Sequence, residues 1–231
     1  MSDLPIPEAH DAVRLVRPSV AETREAMRAH YLGSGPFTYQ VVRSCAKPLY
    51  SGEISLSAVQ HACRTRCQPV GRKPNEDVAT LLHSAARGRS LKCYDLAARD
   101  YYIRRDIKIP VRPSLYFIEN ARAYIFWLQA RKRFAPTQAQ LGLLAAIIRD
   151  TYLRDDFEEA DVEILDLSAP TGSDARTVHR FHLVDFPFIS PDEALSAFQR
   201  LADAHDELKR EGFIRPARPS RPPPPPPPGL F

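Results

Sequence analysis

Residues 115–133 constrain the fold more than any other stretch of the chain. Two runs rich in β-branched and aromatic residues flank a short polar interruption from Glu119 to Arg122. That is the pattern of a β-hairpin, because such side chains fit a pleated, half-buried surface. Both runs are nearly continuous in apolar residues, as a strand is when both of its faces are covered. Trp127, the one tryptophan, lies here. The hairpin ends in Arg131, Lys132 and Arg133, and the most apolar helical segment of the chain follows. The centre of the core is expected at this hairpin.

The rest of the chain reads outward from it. Residues 1–17 look like a loose lead-in punctuated by Pro5 and Pro7, with Pro18 just beyond. Ser19 and Glu22 have capping-box spacing, so a first helix should start there and stop near Gly33. The β-formers of 37–43 predict a short strand. A second helix is expected over 56–66, then a basic loop of about eight residues, then a third helix from Asn75 to about Arg87. In that helix Val78, Leu81, Leu82 and Ala85 recur on one face. Strands are expected over 91–96 and, as one element, over 101–111. Thr137 and Gln140 form a second capping box and open a helix apolar on most of its surface. Strands at 162–167 and 178–186 follow, with a polar turn at 171–174 between them. Ser190, Pro191 and Glu193 then mark the start of a long amphipathic helix.

These elements predict an α+β fold. A mixed or antiparallel sheet is built around the central hairpin and covered by helices at 137–153 and 191–211. An α-rich section over 1–90 packs against an α+β core over 91–213, as one integrated domain. Residues 214–231 form a proline-rich tail, expected to be disordered or to adopt polyproline II, with seven consecutive prolines at 222–228.

Composition narrows the function classes. The chain has 231 residues, 44% of them hydrophobic and 26% charged. No run approaches the roughly 20 apolar residues that span a bilayer, so no membrane partner is expected. The acidic, proline-bearing start does not resemble a secretory signal. A cytoplasmic site and four free thiols are the matching expectations. Abundant arginine and alanine suggest a GC-rich bacterial genome. Nine glycines leave little room for a glycine-rich phosphate loop, which disfavours nucleotide enzymes.

Charge is distributed unevenly. Residues 1–134 hold 22 Lys+Arg and 12 Asp+Glu, a net of +10, whereas 135–213 hold 7 and 16, a net of −9; three tail arginines bring the total to +4. A basic half can mark an anionic partner. Equally, the halves can neutralise each other across an internal or dimer interface. The basic candidates are Arg64, Arg66, Arg72, Lys73, Arg104, Arg105, Lys108, Arg131, Lys132 and Arg133, interleaved with Tyr94, Tyr101 and Tyr102. Arginine and tyrosine together pair with phosphates and stack on bases. The leading expectation is a non-enzymatic bacterial protein that binds nucleic acid, or another acidic partner, through this surface. A protein partner could engage the proline-rich tail or the acidic half, which keeps an adaptor role in view.

The element order from Asn75 onward is helix, two or three strands, helix, strand, strand, helix. That order resembles the core of the PD-(D/E)xK nucleases over about 110 residues. In that family, one acid near a strand end and an acid-x-lysine on the next strand hold a divalent metal that activates water. The resemblance implies Gln129 and Arg131 at the acid-x-lysine positions and Glu119 or Asp106 as the first acid, with Mg²⁺ or Mn²⁺ only if the chain is a nuclease. Gln129 is neutral and arginine is too basic to relay protons, so the motif departs from the family's. No other cofactor is expected. A metal set of His61, Cys63, Cys67 and Cys93 is the remaining candidate, although the paired short knuckles of structural zinc sites are absent.

Overall fold

The computed structural model describes residues 4–33, 37–133, 135–170 and 172–214. The proline-rich tail beyond Ile214, and Thr171 of the expected polar turn, lie outside the described residues. The central hairpin is present, as β4 (Leu115–Glu119) and β5 (Arg122–Gln129), paired antiparallel with Leu115 opposite Phe126 and Glu119 opposite Arg122. Asn120 and Ala121 turn the corner with φ of 50° and 62°. Two successive positive φ values define the type I′ turn, whose twist matches that of the strands.

β1 (Lys92–Tyr94) extends the sheet beyond β4, and β6 (Asp161–Asp166) and β7 (His179–His182) extend it beyond β5. β5 and β6 run parallel, while the other pairs are antiparallel. A parallel pair needs a crossover, and α7 (Gln138–Tyr152) supplies it. The fold is therefore α+β with a mixed five-stranded sheet.

Alternation along the strands divides the core in two. Ile125, Trp127, Val162 and Ile164 point to one face, under α7, α8 (Pro191–Arg210), α1 (Ala9–Leu15), α2 (Val20–Leu32) and a small second sheet. Phe117, Phe126, Leu128 and Leu165 point to the other, under α3 (Gln40–Ser44), α4 (Ala46–Tyr50), α5 (Leu56–Arg66) and α6 (Pro69–Ala86). Two covered faces account for the nearly unbroken apolar runs of the hairpin. The three expected capping boxes, at Ser19, Thr137 and Ser190, are all formed.

Several local expectations are corrected. Residues 101–111 are not one strand but a second hairpin, β2 (Arg99–Arg104) and β3 (Ile107–Val111), turning at Arg105 and Asp106 and forming a two-stranded sheet of its own. Alternation carries through that turn, which conceals it. Residues 37–43 are not a strand, and α3 starts at Gln40. Phe37 and Tyr39 use their rings to pack edge-on at 5.2 Å, and Phe37 lies against Gly71, where tertiary packing overrides β-propensity. The third helix starts at Pro69 rather than Asn75. Proline suits the first helical position, where its missing N–H is not needed. Pro74 continues inside the helix, and Asn75 is buried, donating to the carbonyls of Gly71 at 2.8 Å and Thr38 at 3.1 Å. The basic loop of eight residues is thus a two-residue link, Cys67 and Gln68. The lead-in contains α1, and the last strand ends at His182 with a 3₁₀ turn over Leu183–Asp185.

Candidate functional site

The nuclease-like set is not assembled. Glu119 pairs with Arg122 beside the hairpin turn, whereas Gln129 lies seven residues further along β5, roughly 23 Å away at ~3.3 Å per residue. Asp106 sits in the β2–β3 turn, bonded to Arg104 at 3.1 Å. The chain entering β4 opposite the end of β5 is Arg112, Pro113 and Ser114, and Ser114 holds that end through Phe126 O at 2.9 Å. It brings no carboxylate. Asp166, the parallel neighbour of Gln129, is buried and accepts from Ser168 N and Oγ, both at 3.0 Å. Burial pushes its carboxyl above the ordinary carboxylate range. Among the described residues no group of three His, Cys, Asp or Glu is placed to hold a metal ion. The donors present therefore do not fit Mg²⁺ or Mn²⁺.

In the cysteine set Cys67, at the end of α5, lies against Cys63, but no third ligand joins them among the described residues. Cys63 is buried on α5, His61 is exposed on the same helix, and Cys93 lies on β1. Burial pushes the Cys63 thiol up to about 12 and the Cys93 thiol up to about 11. Thiols so disposed to stay protonated are poor ligands and poor nucleophiles.

The basic residues do not share one surface. Arg64, Arg66, Arg72 and Lys73 lie at the tip of the antiparallel α5–α6 pair, on the face of the sheet opposite Arg104, Arg105 and Lys108. Most are already paired. Arg64 meets Glu76 at 3.7 Å, Lys73 meets Asp77 at 2.7 Å, Lys108 meets Asp100 at 2.5 Å, and Arg104 meets Asp206. Lys132 reaches Asp174 at 3.0 Å. Arg72 donates to the carbonyl of Cys67 at 3.4 Å, while Arg66, Arg105 and Arg133 are exposed. The two oppositely charged halves meet inside the molecule. Arg24 bonds Glu207 and Glu211 at 3.2 and 3.0 Å, Arg28 bonds Glu211, and Arg89 bonds Glu163 at 2.9 Å.

One concentration of positive charge stands apart, at the carboxyl end of β5. Arg131 grips Asp11 with two bonds of 2.5 and 2.9 Å and lies 3.2 Å from His10 Nε2. Arg14, one turn along α1, is 4.0 Å from Asp11. Arg112 reaches Glu8 at 2.7 Å. Arg43 comes in from α3, and its Nε is buried with no hydrogen-bond partner among the described residues. Burial first, then the charge of Arg131, pulls the affinity of both Arg14 and Arg43 for their protons below the ordinary arginine value. Burial pushes the carboxyl of Asp11 up, but His10 and Arg131 together outweigh it and hold the group well below the carboxylate range. Beside this group, His10, Arg14, Trp127, Gln129 and Gln140 line a small cleft between α1, β5 and the start of α7. Gln129 is buried there, and its Oε1 has no partner among the described residues.

Of the residues expected from sequence, Gln129 and Arg131 belong to this end, with Lys132 and Arg133 just beyond. Glu8, His10, Asp11, Arg14 and Arg43 were missed. Glu8 to Arg14 fell in a supposed lead-in, although Ala9, Ala12 and Val13 carry the helical spacing of a buried face. Arg43 fell in a supposed strand.

The opposite end of the sheet carries a closed ionic network. Glu163 is fully buried and accepts from Tyr50 Oη at 2.6 Å and from Arg89 at 2.9 and 3.1 Å, and Arg180 Nε lies 3.4 Å away. Arg89 also forks onto Glu119 at 2.6 and 3.0 Å. Burial lowers the proton affinity of Arg89, but both carboxylates outweigh this and raise it. So fully engaged a carboxylate serves the fold rather than a substrate.

No protein-family model matches the chain, and no curated protein matches it. Among solved structures, the chain is similar to one described as "Crystal structure of SSO0001", with a TM-score of 0.37 and 10% sequence identity over 88% of this chain and 77% of that one.

Proposed function

We propose that this chain binds a polyanion, with nucleic-acid phosphate as its main ligand, at the carboxyl end of β5, and that it does so without catalysis. The observation that carries this reading is the convergence of Arg14, Arg43 and Arg131, partly desolvated, around two carboxylates among the described residues, Glu8 and Asp11. Arginine is more weakly hydrated than lysine and meets phosphate with a planar fork, so it suits a partly buried anion site. A phosphate entering here would relieve repulsion among the guanidiniums. Arg112, Lys132 and Arg133 flank the group and extend it along a backbone. The positions that hold carboxylates and lysine in the PD-(D/E)xK pattern carry Gln129 and Arg131 here, which supports binding over cleavage. A bacterial, cytoplasmic setting rests on composition alone.

The test is fluorescence anisotropy of labelled single- and double-stranded DNA and RNA from about 50 to 300 mM salt with Mg²⁺ present, followed by gel analysis of the substrate. Affinity should fall steeply with salt while the strands stay intact, because phosphate contacts release counterions. No binding at the lowest salt, or shortened strands, would overturn the proposal.

A protein-adaptor role is the second reading. It is favoured by Val184 and Phe188, 87% and 76% exposed, beside the edge strand β7.

A further inference from the structure

We infer, resting on the phosphate site proposed above, that the small cleft between α1, β5 and the start of α7 takes a ribose 2′-hydroxyl, so that the nucleic acid held beside it is RNA rather than DNA. The cleft offers one unmet acceptor. Gln129 lines it and is 4% exposed, and its Oε1 has no hydrogen-bond partner among the described residues. Much of the remaining wall is apolar, from Val13, Trp127, Leu141 and Leu144. A buried acceptor in such surroundings calls for a donor, because its desolvation is otherwise uncompensated.

The chemistry of the cleft selects which donor. A phosphate oxygen cannot serve, since it carries no proton and its charge would face Oε1 among apolar walls. A neutral hydroxyl can, because it donates one proton and keeps its lone pairs for other partners. The size agrees. The cleft has a volume of about 10 Å³, which is room for about one water-sized oxygen and not for a nucleobase.

The cleft and the arginine cluster share a wall. Trp127 and Gln129 alternate along β5, and Arg131 follows two residues on, ~6.6 Å further at the rise of a strand. Arg14 belongs to both the cleft and the cluster. His10 joins them: its Nε2 lies 3.2 Å from a guanidinium nitrogen of Arg131, and its ring lies 6.3 Å from that of Trp127. A phosphate held by Arg14 and Arg131 therefore sits beside the cleft. In RNA the 2′-hydroxyl is bonded to the carbon next to the one that bears the 3′-phosphate. Every ribonucleotide carries this donor close to its phosphate, and deoxyribonucleotides lack it. A base amino group is the competing donor, but it lies across the sugar from the phosphate and brings a ring that the cleft does not admit.

The full chain is titrated by fluorescence anisotropy against short labelled single strands of one mixed sequence, made as RNA, DNA, 2′-fluoro RNA and 2′-O-methyl RNA. RNA should bind about tenfold more tightly than the other three, the scale of one buried acceptor left without its donor. The 2′-fluoro strand keeps the ribose pucker and loses the donor, so it separates the hydrogen bond from backbone shape. Gln129→Met keeps the side-chain length and removes the acceptor, and it should bring the ratio of RNA to DNA affinity to about one. The modified strands need no change in the protein, so they decide the matter even where this variant fails to fold. Equal binding of RNA and DNA would overturn the hydroxyl assignment and leave the phosphate site standing. So would 2′-fluoro RNA that binds as tightly as RNA, or a Gln129→Met protein, folded by circular dichroism, that keeps the preference. RNA and DNA bound alike, but more tightly when rich in adenine and cytosine, would give the cleft to a base amino group instead. No binding of any strand at the lowest salt would remove the phosphate site itself, and the hydroxyl site with it.

Discussion

Tyr50 and Glu163, 113 positions apart in sequence, meet hydroxyl to carboxylate at 2.6 Å inside the core. α4 and β6 are joined by this contact, and Arg89 completes it from the segment after α6. Removing one partner of a buried ion pair leaves a charge that water cannot reach, which costs about 3–5 kcal/mol. Arg89→Ala should therefore lower urea-measured stability by about that amount. Tyr50→Phe removes one neutral donor and should cost about 1–2 kcal/mol. Similar, small losses for both variants would show that the network is solvated and not structural.

Stability should depend on pH at both extremes. Burial, then the charge of Glu163, raises the Tyr50 phenol above its ordinary value. A raised group contributes stability that is complete below the unfolded pKa of about 10 and lost as pH rises past it. Asp11 and Glu119 are depressed, Glu119 chiefly by its bonds to Arg89. Depressed carboxyls contribute stability that is complete above about pH 4 and lost as pH falls through their folded values. Thermal melts from pH 7 to 3 should show this acid limb, and Asp11→Asn should flatten it. An unchanged limb in that variant would remove Asp11 from the account.

The turn of the central hairpin is under local strain. Ala121 holds a φ of 62°, a region that costs an L-residue roughly 1–2 kcal/mol. Asn-Gly is the favoured pair for such a turn. Ala121→Gly should stabilise the protein by about 0.5–1 kcal/mol after the added freedom of the unfolded chain is subtracted. Scanning calorimetry should show the midpoint rising by ~1–4 °C for a chain of this size. A fall would mean that the alanine methyl makes a contact worth more than the strain.

Two groups of arginines give opposite expectations for polyanion binding. Arg43→Gln with Arg131→Gln should weaken it at least tenfold and reduce the salt slope by about two, one per lost phosphate contact. Arg66→Gln with Arg72→Gln, at the α5–α6 tip rather than at the carboxyl end of β5, should change it less than threefold. The reverse ranking, measured by anisotropy, would move the interface to that tip.

The hairpin, the three capping boxes and the α+β class were legible because each rests on a local signal: apolar runs, box spacing, or proline at a helix start. The candidate site was only half legible. Gln129 and Arg131 follow from the position of β5, but Asp11 and Arg43 reach them across 120 and 88 positions, and nothing local announces such meetings. Two misreadings compounded this. Pro74 and Asn75 look like a boundary, yet the Asn75 side chain donates to the carbonyl of Gly71 within the helix and to that of Thr38 before α3. The polar pair Arg105 and Asp106 looked like one more alternation within a strand. The charge asymmetry was visible, but pattern alone could not separate a docking surface from internal neutralisation, because the pairing of α2 with α8 spans 183 residues.

That pairing has a consequence for how the chain is made. Arg24 and Arg28 wait for Glu207 and Glu211, so a ribosome must make α8 before the seam can close. Early in that interval the basic half is complete and the acidic half is not yet synthesised. The nascent chain passes through a stage of net charge +10 near residue 134, and the ten acids from Asp150 to Asp185 bring that stage to an end before α8 emerges.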